Sequence, residues 1–394
     1  MSIRNLVSKI ETNDNEIQRY IKYPNMLIKS LNELDELVGM KVLKTDIVRQ
    51  VKALIMDKKR GKDKASDYSL NTLLCGTPGV GKTVVGVILA KIWYALGFLN
   101  PGVKVSGGGG IEGIVESTLI IALGVKLIEI LRSLSPWLFY GGIILMFLII
   151  LSIWVSKNKV EQRRIARMQS GDVENSDIVS VVSRKDFVAE YMGQTDQKTM
   201  KLIEANKGKV LFVDEAYSLY GGYNDPYGQQ ALTTLNQYMT EHPKDVIVIF
   251  AGYEDKMKQG IFKAQEGLVS RFSWRFECAG YSADELVEMF FKKLEKEEWI
   301  IEDKDSIAKL IKENHKLFKA YGRDIGRLIN YSKASAMEKS FEDTYVIREY
   351  DFINIDDVTK AINTFKGNNI GDMDESKSKT SPEEVLRRLI DKTE

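Results

Sequence analysis

The chain has little of what most metal and disulfide sites need. Its 394 residues include only two cysteines and two histidines. Cys75 and Cys278 are far apart in the sequence, which favours two reduced, buried thiols over a disulfide or a shared metal. His242 and His315 are isolated from each other and from the cysteines. The sequence therefore predicts no metal site built from histidine and cysteine.

An excess of one charge is also missing. Lys and Arg total 56 while Asp and Glu total 55, so the net charge is +1. A dedicated nucleic-acid-binding protein usually carries a basic excess, and the basic residues here cluster only between Lys157 and Arg167. A signal peptide is not expected, because residues 1–30 lack its apolar core. A DNA- or RNA-directed motor is thus disfavoured, and steeply salt-dependent nucleic-acid binding would be needed to revive it.

A complete phosphate-binding loop is present. The pattern G-x-x-x-x-G-K-[ST] is matched at every fixed position by Gly76, Thr77, Pro78, Gly79, Val80, Gly81, Lys82 and Thr83. A buried-strand pattern precedes the loop and a helical pattern follows it, so backbone N–H groups and a helix N-terminus would face the phosphates of ATP. We expect Lys82 to reach the β- and γ-phosphates and the Thr83 hydroxyl to bind Mg²⁺.

A second apolar strand ends in two carboxylates. Residues 210–213 are apolar, and Asp214 and Glu215 follow them at the edge where open α/β sheets bind ligands. We expect Asp214 to hold Mg²⁺ through water and Glu215 to orient or deprotonate the attacking water. Each motif alone is compatible with an ordinary turn or strand end. Together they predict an ATPase that uses ATP and Mg²⁺.

The remaining patterns divide the chain into six parts. Apolar runs rich in β-branched residues at 210–214 and 246–251 predict central strands of a parallel sheet, and the pattern from 282 to 365 is helical and amphipathic. The predicted parts are an N-terminal extension (1–30), the first part of a large α/β domain (31–105), a hydrophobic insert (106–168), the second part of the large domain (169–276), a helical domain (277–366) and a flexible tail (367–394).

The hydrophobic insert is unusual for an ATPase. No charged residue lies between Arg132 and Lys157, and residues 137–155 are almost wholly apolar. Spanning the hydrocarbon core takes about 20 such residues. Aromatic residues near both ends, and the basic run that starts at Lys157, are typical of a membrane segment whose carboxyl-terminal flank is cytoplasmic. The alternative is a buried core helix, although a soluble helix this uniformly apolar is rare.

The insert must start and end on the same side of a membrane, because Thr83 and Asp214 have to meet at one Mg²⁺. The other candidate crossing, 111–131, contains charged residues, each of which costs about 2.5–3.5 kcal/mol at the centre of a spanning helix. Three arrangements stay open: a hairpin of two crossings, a surface segment followed by one that enters without crossing, and packing on other subunits. The hairpin is favoured, since Lys126 and Glu129 are spaced to pair on one helix.

Six short segments in order resemble the CbbX/CfxQ family of AAA+ ATPases, which includes stage V sporulation protein K-like proteins. They are LVGM (37–40), the phosphate loop (76–83), YMGQT (191–195), LFVDEAY (211–217), AGY (251–253) and GLVSR (267–271). The resemblance covers residues 31–105 and about 175–366. It implies a P-loop NTPase (AAA+) fold, with a parallel sheet flanked by helices and a C-terminal helical lid. It also implies a ring of subunits, expected to be a hexamer.

The resemblance implies roles for residues outside the two motifs. Val38 and Gly39 would line the adenine pocket, and Arg323 would be the lid arginine called sensor 2. Tyr253 falls where many AAA+ proteins carry a polar sensor 1 residue, so that role stays open. Tyr191 would lie in a loop that lines the central pore of the ring and grips an extended polypeptide. The alternative for Tyr191 is a core tyrosine beside a turn glycine.

Two arginines are candidates for a residue that acts on the neighbouring subunit. By the resemblance Arg271 matches the arginine finger, whose guanidinium would stabilise charge on the transferring phosphoryl group. Arg275 is the weaker candidate. Surface salt bridging is the alternative for both arginines. Gln265 and Glu266 stand where the family usually has Asn-Pro, which leaves the loop geometry open.

The sequence thus predicts a membrane-anchored AAA+ ATPase that remodels a protein or protein complex, with its ATPase domain on the cytoplasmic side. The expected partners are a protein substrate, further copies of the chain and a membrane, but not nucleic acid. A nucleotide-gated membrane scaffold or assembly factor that threads no substrate is the alternative. The carboxylase activation tied to the CbbX name does not carry over, because the insert departs from the family pattern.

Overall fold

The computed structural model describes residues 2–12, 16–61, 69–99, 174–191, 193–342 and 352–367, together with scattered positions from 140 to 170. The predicted flexible tail lies outside these residues, apart from residue 367, and so does most of the predicted hydrophobic insert. The chain forms two compact units, Met1–Gly280 and Tyr281–Glu394.

The first unit alternates helices with strands. Its described helices are α1 (Ile3–Thr12), α2 (Pro24–Glu36), α3 (Lys41–Lys59), α4 (Lys82–Leu96), α5 (Asn175–Ile178), α6 (Arg184–Phe187), α7 (Thr195–Ala205), α8 (Pro226–Glu241), α9 (Glu254–Gln259) and α10 (Ile261–Ala264). Its strands are β1 (Thr72–Gly76), β2 (Val179–Val182), β3 (Val210–Val213), β4 (Ile247–Gly252) and β5 (Trp274–Cys278). Short 3-10 helices occupy Gln18–Tyr20, Ala216–Leu219 and Glu266–Arg271.

The strands form one parallel sheet in the order β2-β3-β4-β1-β5. Every residue of β3 and β4 is buried, as expected for central strands with helices on both faces. Phe250 of β4 pairs with Val213 of β3 on one side and with Leu73 of β1 on the other. The carboxyl ends of β1, β4 and β3 therefore meet at one edge. The predicted parallel sheet flanked by helices is confirmed.

The last strand in the chain order of the sheet, β5, shows where the first unit ends. β5 pairs with β1 up to the register of Cys278 with Gly76, and Cys278 is buried. All of β5 therefore belongs to the first unit. The first unit ends after Gly280, slightly later than the boundary at 276 drawn from the sequence.

The N-terminal segment packs on the first unit. Ile3, Leu6 and Ile10 of α1 are buried, and Tyr23, just before α2, stacks on Tyr94 of α4 with ring centroids 5.9 Å apart. The apolar stripe of α1 supplies the burial that keeps such a short helix folded. Residues 1–30 thus contribute to the core beside the helix that follows the phosphate loop.

The second unit is mainly helical. It contains α11 (Ala283–Lys296), β6 (Ile300–Ile301), α12 (Lys304–Glu313), a 3-10 turn (His315–Leu317), α13 (Tyr321–Glu342), β7 (Phe352–Ile353) and α14 (Ile355–Gly367). The side chains of Ser282 and Glu285 cap the start of α11 reciprocally, which satisfies backbone donors that the helix leaves unpaired. Its core is a separate cluster that includes Phe290, Phe318 and Phe365.

None of the helices in the described ranges is both long and apolar enough to cross a membrane. The predicted membrane segment at 137–155 lies outside those ranges except for five positions. Those positions are Tyr140, Phe147, Leu148, Leu151 and Ser152.

Candidate nucleotide site

The phosphate loop joins β1 to α4. Gly79 and Gly81 adopt positive φ angles of 75° and 87°, a conformation that residues with a side chain rarely adopt. Val80, between them, is fully buried and anchors the loop to the core. The glycines therefore allow the tight curve that leads directly into the first turn of α4.

Lys82 points into the loop that precedes it. Its Nζ atom donates to the carbonyl oxygens of Gly76 at 2.9 Å and Thr77 at 2.8 Å. Thr83, the next residue, is exposed in the first turn of α4. The ammonium group and the hydroxyl thus lie at the helix N-terminus, where an anionic phosphate is stabilised. The roles predicted for the two side chains, binding phosphate and binding Mg²⁺, stay predictions.

The two predicted acids follow the fully buried strand β3. Asp214 is half-buried, and its backbone N–H donates to Val182 O at 3.0 Å. Glu215 is exposed, and its backbone N–H donates to Asp214 Oδ1 at 3.0 Å. The φ of Glu215 is 48°, a left-handed conformation that costs about 1–2 kcal/mol for a residue with a side chain. Backbone strain of this kind clusters at functional sites.

A direct contact connects the phosphate-loop helix with the acidic strand. Gly86 of α4 lies so close to Phe212 of β3 that a Cβ atom at Gly86 would be 2.1 Å from the phenylalanine ring. Only glycine fits between helix and ring. The close approach fixes the position of Lys82 relative to Asp214, since each lies within four residues of this contact.

Tyr253 follows β4, the strand that separates β1 from β3. Its ring centroid lies 5.7 Å from Lys82 Nζ and 5.6 Å from the ring centroid of Tyr217. The ammonium of Lys256 lies over both rings, 4.9 Å from Tyr217 and 4.8 Å from Tyr253. The role of Tyr253 was open on sequence grounds, and Lys256 was not predicted. The segments LFVDEAY and AGY contain both tyrosines but do not indicate that their rings meet.

Burial raises the pKa of Tyr217 above its ordinary value, and the negative charge of the nearby Glu215 carboxylate adds to the shift. Tyr217 therefore stays protonated near neutral pH.

The oxygen groups at this edge suit Mg²⁺. Mg²⁺ is usually held by one or two protein oxygen ligands, together with waters and substrate phosphates. Thr83 offers a hydroxyl and Asp214 a carboxylate, both at least partly accessible. Within the described ranges no group of three or more His, Cys, Asp or Glu side chains could hold an ion by itself. The residues present therefore fit a metal that arrives with the nucleotide.

Arg271 and Arg275 have different surroundings. The guanidinium of Arg275 pairs with Glu254, a neighbour on the same chain. Arg271 ends the 3-10 helix Glu266–Arg271, and its Nε atom is buried without a hydrogen-bond partner among the described residues. A buried unpaired donor is costly, so a partner from outside the chain would stabilise it. Arg275 thus forms the surface salt bridge that was the alternative for both arginines.

The other residues named from the resemblance lie in both units. Val38 and Gly39 are half-buried in the turn between α2 and α3, where Gly39 has a φ of 66°. Tyr191 is 68% exposed in the connection between α6 and α7, so it is not a core tyrosine. Arg323 is exposed in the first turn of α13, in the second unit.

The two thiols are free and buried, as predicted. Burial raises the pKa of Cys278 to about 12 and that of Cys75 above its ordinary value. Both sulfurs are therefore protonated and unreactive near neutral pH.

Residues 163–279 match the model of the ATPase family associated with various cellular activities, AAA. The chain contains an AAA ATPase domain. The match includes the acidic strand, β4 and Arg271, but it begins after the phosphate loop. In the sequence, the insert (106–168) lies between the phosphate loop and most of the matched region. With its phosphate loop and acidic strand on one sheet edge, the AAA domain hydrolyses ATP.

Two known proteins are similar to the chain over about two thirds of its length. The ESX-1 secretion system protein EccA1 of Mycobacterium leprae is 30% identical over 269 residues, which are 67% of this chain and 34% of that protein. A protein CfxQ homolog of Galdieria sulphuraria is 27% identical over 273 residues, which are 68% of this chain and 65% of that protein. The chain thus spans about a third of the length of the mycobacterial relative.

A crystal structure of the FIGL-1 AAA domain in complex with ADP is also similar. It has a TM-score of 0.47 and 13% sequence identity, over 91% of this chain and 89% of that one. Likeness at this level carries no argument about the function of the AAA domain.

Proposed function

We propose that the chain is a membrane-anchored AAA+ ATPase of the CbbX/CfxQ type whose copies form a ring, expected to be a hexamer, and that it uses ATP hydrolysis to remodel a protein. The observation that carries this proposal is the exposed aromatic ring of Tyr191 on the same unit as the nucleotide site. An exposed tyrosine offers contact area without selecting one sequence, which suits a polypeptide with varied side chains.

The nucleotide site supports the chemical part of the proposal. Lys82 would neutralise phosphate charge, and Thr83 and Asp214 would hold the Mg²⁺ that polarises the transferred group. Glu215 would orient or deprotonate the water that attacks it. Arg271 would act on the nucleotide of a neighbouring subunit through its guanidinium group.

Tyr191 is followed closely by Gly193, which has a φ of 79° and open space on the side where a Cβ would stand. The short connection between α6 and α7 thus presents the ring away from the core. In a ring of subunits, one such tyrosine from each copy would converge on a passing chain. Hydrolysis at the sheet edge would move them in turn.

The experiment that tests remodelling compares Tyr191→Ala with Tyr191→Phe. An unfolded model polypeptide such as casein should stimulate the ATPase activity of the wild-type chain. We expect Tyr191→Phe to keep the stimulation, because the aromatic face remains, and Tyr191→Ala to lose it while basal turnover is retained. If casein stimulates Tyr191→Ala as strongly as the wild type, substrate threading is ruled out and the nucleotide-gated scaffold becomes the better explanation.

Two groups of observations support a membrane anchor. The described apolar side chains of the insert are exposed, with Phe147 at 64%, Leu148 at 53% and Leu151 at 41%. A buried core helix would hide such side chains, so exposure favours contact with lipid over the core-helix alternative. The basic run from Lys157 supports a cytoplasmic position for the ATPase domain.

The contacts on both sides of the insert support a segment that begins and ends on the same side of a membrane. Before the insert, Ala95 O accepts a hydrogen bond from Tyr23 N at 3.0 Å. After it, Gln169 O accepts one from Asn25 Nδ2 at 3.1 Å. Both flanks therefore contact the start of α2, as an insert with an even number of crossings requires.

Membrane fractionation tests the anchor. The full chain should sediment with membranes and resist extraction with high salt, whereas a version without residues 107–168 should stay in the supernatant and keep its ATPase activity. A third version with Phe147, Leu148 and Leu151 changed to aspartate should behave like the deletion. The anchor is abandoned if the full chain also stays in the supernatant.

A further inference from the structure

A chain of hydrogen bonds runs along the edge of the sheet where its strands begin. The backbone N–H of Val248 donates to Asn71 Oδ1 at 2.7 Å, and Asn71 Nδ2 donates to Ser69 Oγ at 3.0 Å. The Ser69 hydroxyl in turn donates to the carbonyl oxygen of Arg271. Two side chains that precede β1 therefore connect the start of β4 to Arg271.

The direction of each hydrogen bond in this chain is fixed. A backbone N–H can only donate, so Val248 requires the oxygen of the Asn71 amide and turns the amide nitrogen toward Ser69. That nitrogen can only donate, so Ser69 Oγ accepts, and its one hydrogen is left for the Arg271 carbonyl. Asn71 is 7% exposed, and linked hydrogen bonds strengthen one another where water is largely excluded.

The backbone around Arg271 is anchored. Arg271 ends the 3-10 helix Glu266–Arg271, and Leu268 before it and Phe272 after it are buried. The hydrogen bond from Ser69 reaches the Arg271 carbonyl oxygen, whereas Arg271 Nε has no hydrogen-bond partner among the described residues. The contact from Ser69 therefore acts on the point where the arginine side chain leaves the backbone.

Arg271 lies at the opposite end of the sheet from the phosphate loop of its own chain. β1 and β5 are parallel, and Thr72 at the start of β1 pairs with Trp274 at the start of β5. Arg271 precedes this pair, whereas the phosphate loop begins at the far end of β1. The five residues of β1 span about 16 Å at about 3.3 Å per residue. A change at Ser69 can therefore affect Arg271 without touching the phosphate loop.

We propose that Ser69, oriented by Asn71, is a positioning residue that aims Arg271 at the nucleotide of the neighbouring subunit. This inference rests on the proposed role of Arg271. Ser69 touches no substrate and acts only through the arginine backbone. The effect of a guanidinium on a transferred phosphoryl group depends on its exact placement, so an arginine that is held less firmly should be less effective.

Removal of the Ser69 hydroxyl should slow hydrolysis without weakening the binding of ATP. Ser69→Ala should lower kcat about three- to tenfold, the loss that corresponds to one neutral hydrogen bond. Ser69→Thr keeps a hydroxyl and should restore kcat to within about twofold of wild type. Kd for ATP, measured by fluorescent-nucleotide titration, should change by less than about twofold in both variants. A normal kcat in Ser69→Ala would overturn the proposal.

Thr72→Val is the matched control. Thr72 is fully buried on β1, and its hydroxyl also donates to a carbonyl oxygen, that of Leu70 at 2.8 Å. Valine removes this hydroxyl and leaves the hydrogen bond from Ser69 to Arg271 in place. The control should keep kcat within about twofold of wild type. An equal loss of kcat in Thr72→Val and Ser69→Ala would mean that the effect is general, and the proposal would not stand.

Mixing experiments distinguish positioning from a structural role. A Ser69→Ala subunit should be a poor donor of arginine but should keep an intact nucleotide site. Mixed with Glu215→Gln, it should therefore give more activity than the average of the two components, because Glu215→Gln supplies a well-placed arginine. Mixed with Arg271→Ala, it should give only the average, because both variants fail as donors. The reverse pattern would show that Ser69 acts on its own nucleotide site.

A double variant separates this inference from the proposed role of Arg271. In single-turnover measurements, Ser69→Ala with Arg271→Ala should be no slower than Arg271→Ala alone, because nothing is left to position. A further slowing would show that Ser69 acts by another route. If Arg271→Ala turns over like the wild type, the role of Arg271 and this inference both fail. If Arg271→Ala is impaired and Ser69→Ala is normal, this inference alone fails.

Discussion

Arg184 holds Asp225 through two parallel hydrogen bonds, Nη1 to Oδ2 at 2.5 Å and Nη2 to Oδ1 at 2.9 Å. The same guanidinium donates to Leu219 O at 2.9 Å. Asp225 also accepts from the backbone N–H groups of Gly221 and Gly228, at 2.7 and 3.0 Å. The pair thus ties the segment after the acidic strand to α6 and caps the start of α8.

This pair predicts a pH-dependent contribution to stability. The hydrogen bond from Arg184 lowers the pKa of Asp225 to about 2, with help from the two backbone donors. The unfolded chain binds this proton more readily, so the contribution is present above about pH 4 and is lost as pH falls toward 2. We expect Asp225→Asn to reduce the free energy of unfolding by about 2 kcal/mol at pH 7. The difference from wild type should shrink below pH 4.

Urea unfolding at pH 7, 5 and 3 measures this difference. Asp46→Asn is the control, because Asp46 forms an exposed pair with Arg49 one helical turn away, and such pairs contribute about 0–1 kcal/mol. A loss in Asp225→Asn that is the same at pH 7 and pH 3 would contradict the assignment to the charged pair.

Changes in the phosphate loop and in the acidic strand should impair different steps, the binding of ATP and its hydrolysis. Lys82→Ala removes the ammonium that lies inside the phosphate loop, so we expect ATP binding to weaken at least tenfold. Glu215→Gln keeps the size of the side chain but loses its basicity, so ATP should still bind while turnover falls at least a hundredfold. Fluorescent-nucleotide titration and phosphate release separate the two effects. Normal nucleotide binding by Lys82→Ala would remove the phosphate loop from the mechanism.

Arg271 predicts complementation between subunits. Arg271→Ala and Glu215→Gln should each be nearly inactive alone. Mixed together, they should regain part of the activity, because a Glu215→Gln subunit can supply an intact arginine to a neighbour with an intact acid. Arg275→Ala is the control and should keep most of the activity, since Arg275 pairs with Glu254 on its own chain. A mixture with no activity above that of its components would exclude action across the interface.

Gly86 predicts a steric effect on stability. Gly86→Ala places a methyl group against the Phe212 ring, and overpacking of this kind costs about 1–3 kcal/mol. Phe212→Leu removes ring atoms at the point of contact, so the double variant should be less destabilised than the sum of the two single changes. Thermal unfolding of the wild type, the two single variants and the double variant measures this difference. Strict additivity would show that Gly86 and Phe212 do not compete for space.

The phosphate loop and the acidic strand could be predicted from sequence because their chemistry is local. Consecutive residues supply the glycines, the lysine and the hydroxyl, and four apolar residues deliver the acids to the sheet edge. Ile47, Val51 and Leu54 recur at helical spacing, and all three are buried in α3. Periodicity of this kind indicates a buried helix face without reference to tertiary contacts.

Contacts that depend on strand order could not be predicted. Tyr217 and Tyr253 meet because β4 lies beside β3 in the sheet, and no local pattern indicates which strands are neighbours. Arg184 and Asp225 are 41 residues apart in the sequence. The burial of Arg271 Nε likewise depends on packing around the 3-10 helix before it, so only the structure separates Arg271 from Arg275.

Tyr23 and Asn25 hold the chain on both sides of the long insert. They lie two residues apart and contact Ala95, which precedes the insert, and Gln169, which follows it. A segment between flanks that are held close together can change in length at little cost in closure entropy. A change in the length or composition of this segment should therefore leave the strand order and the catalytic edge as they are.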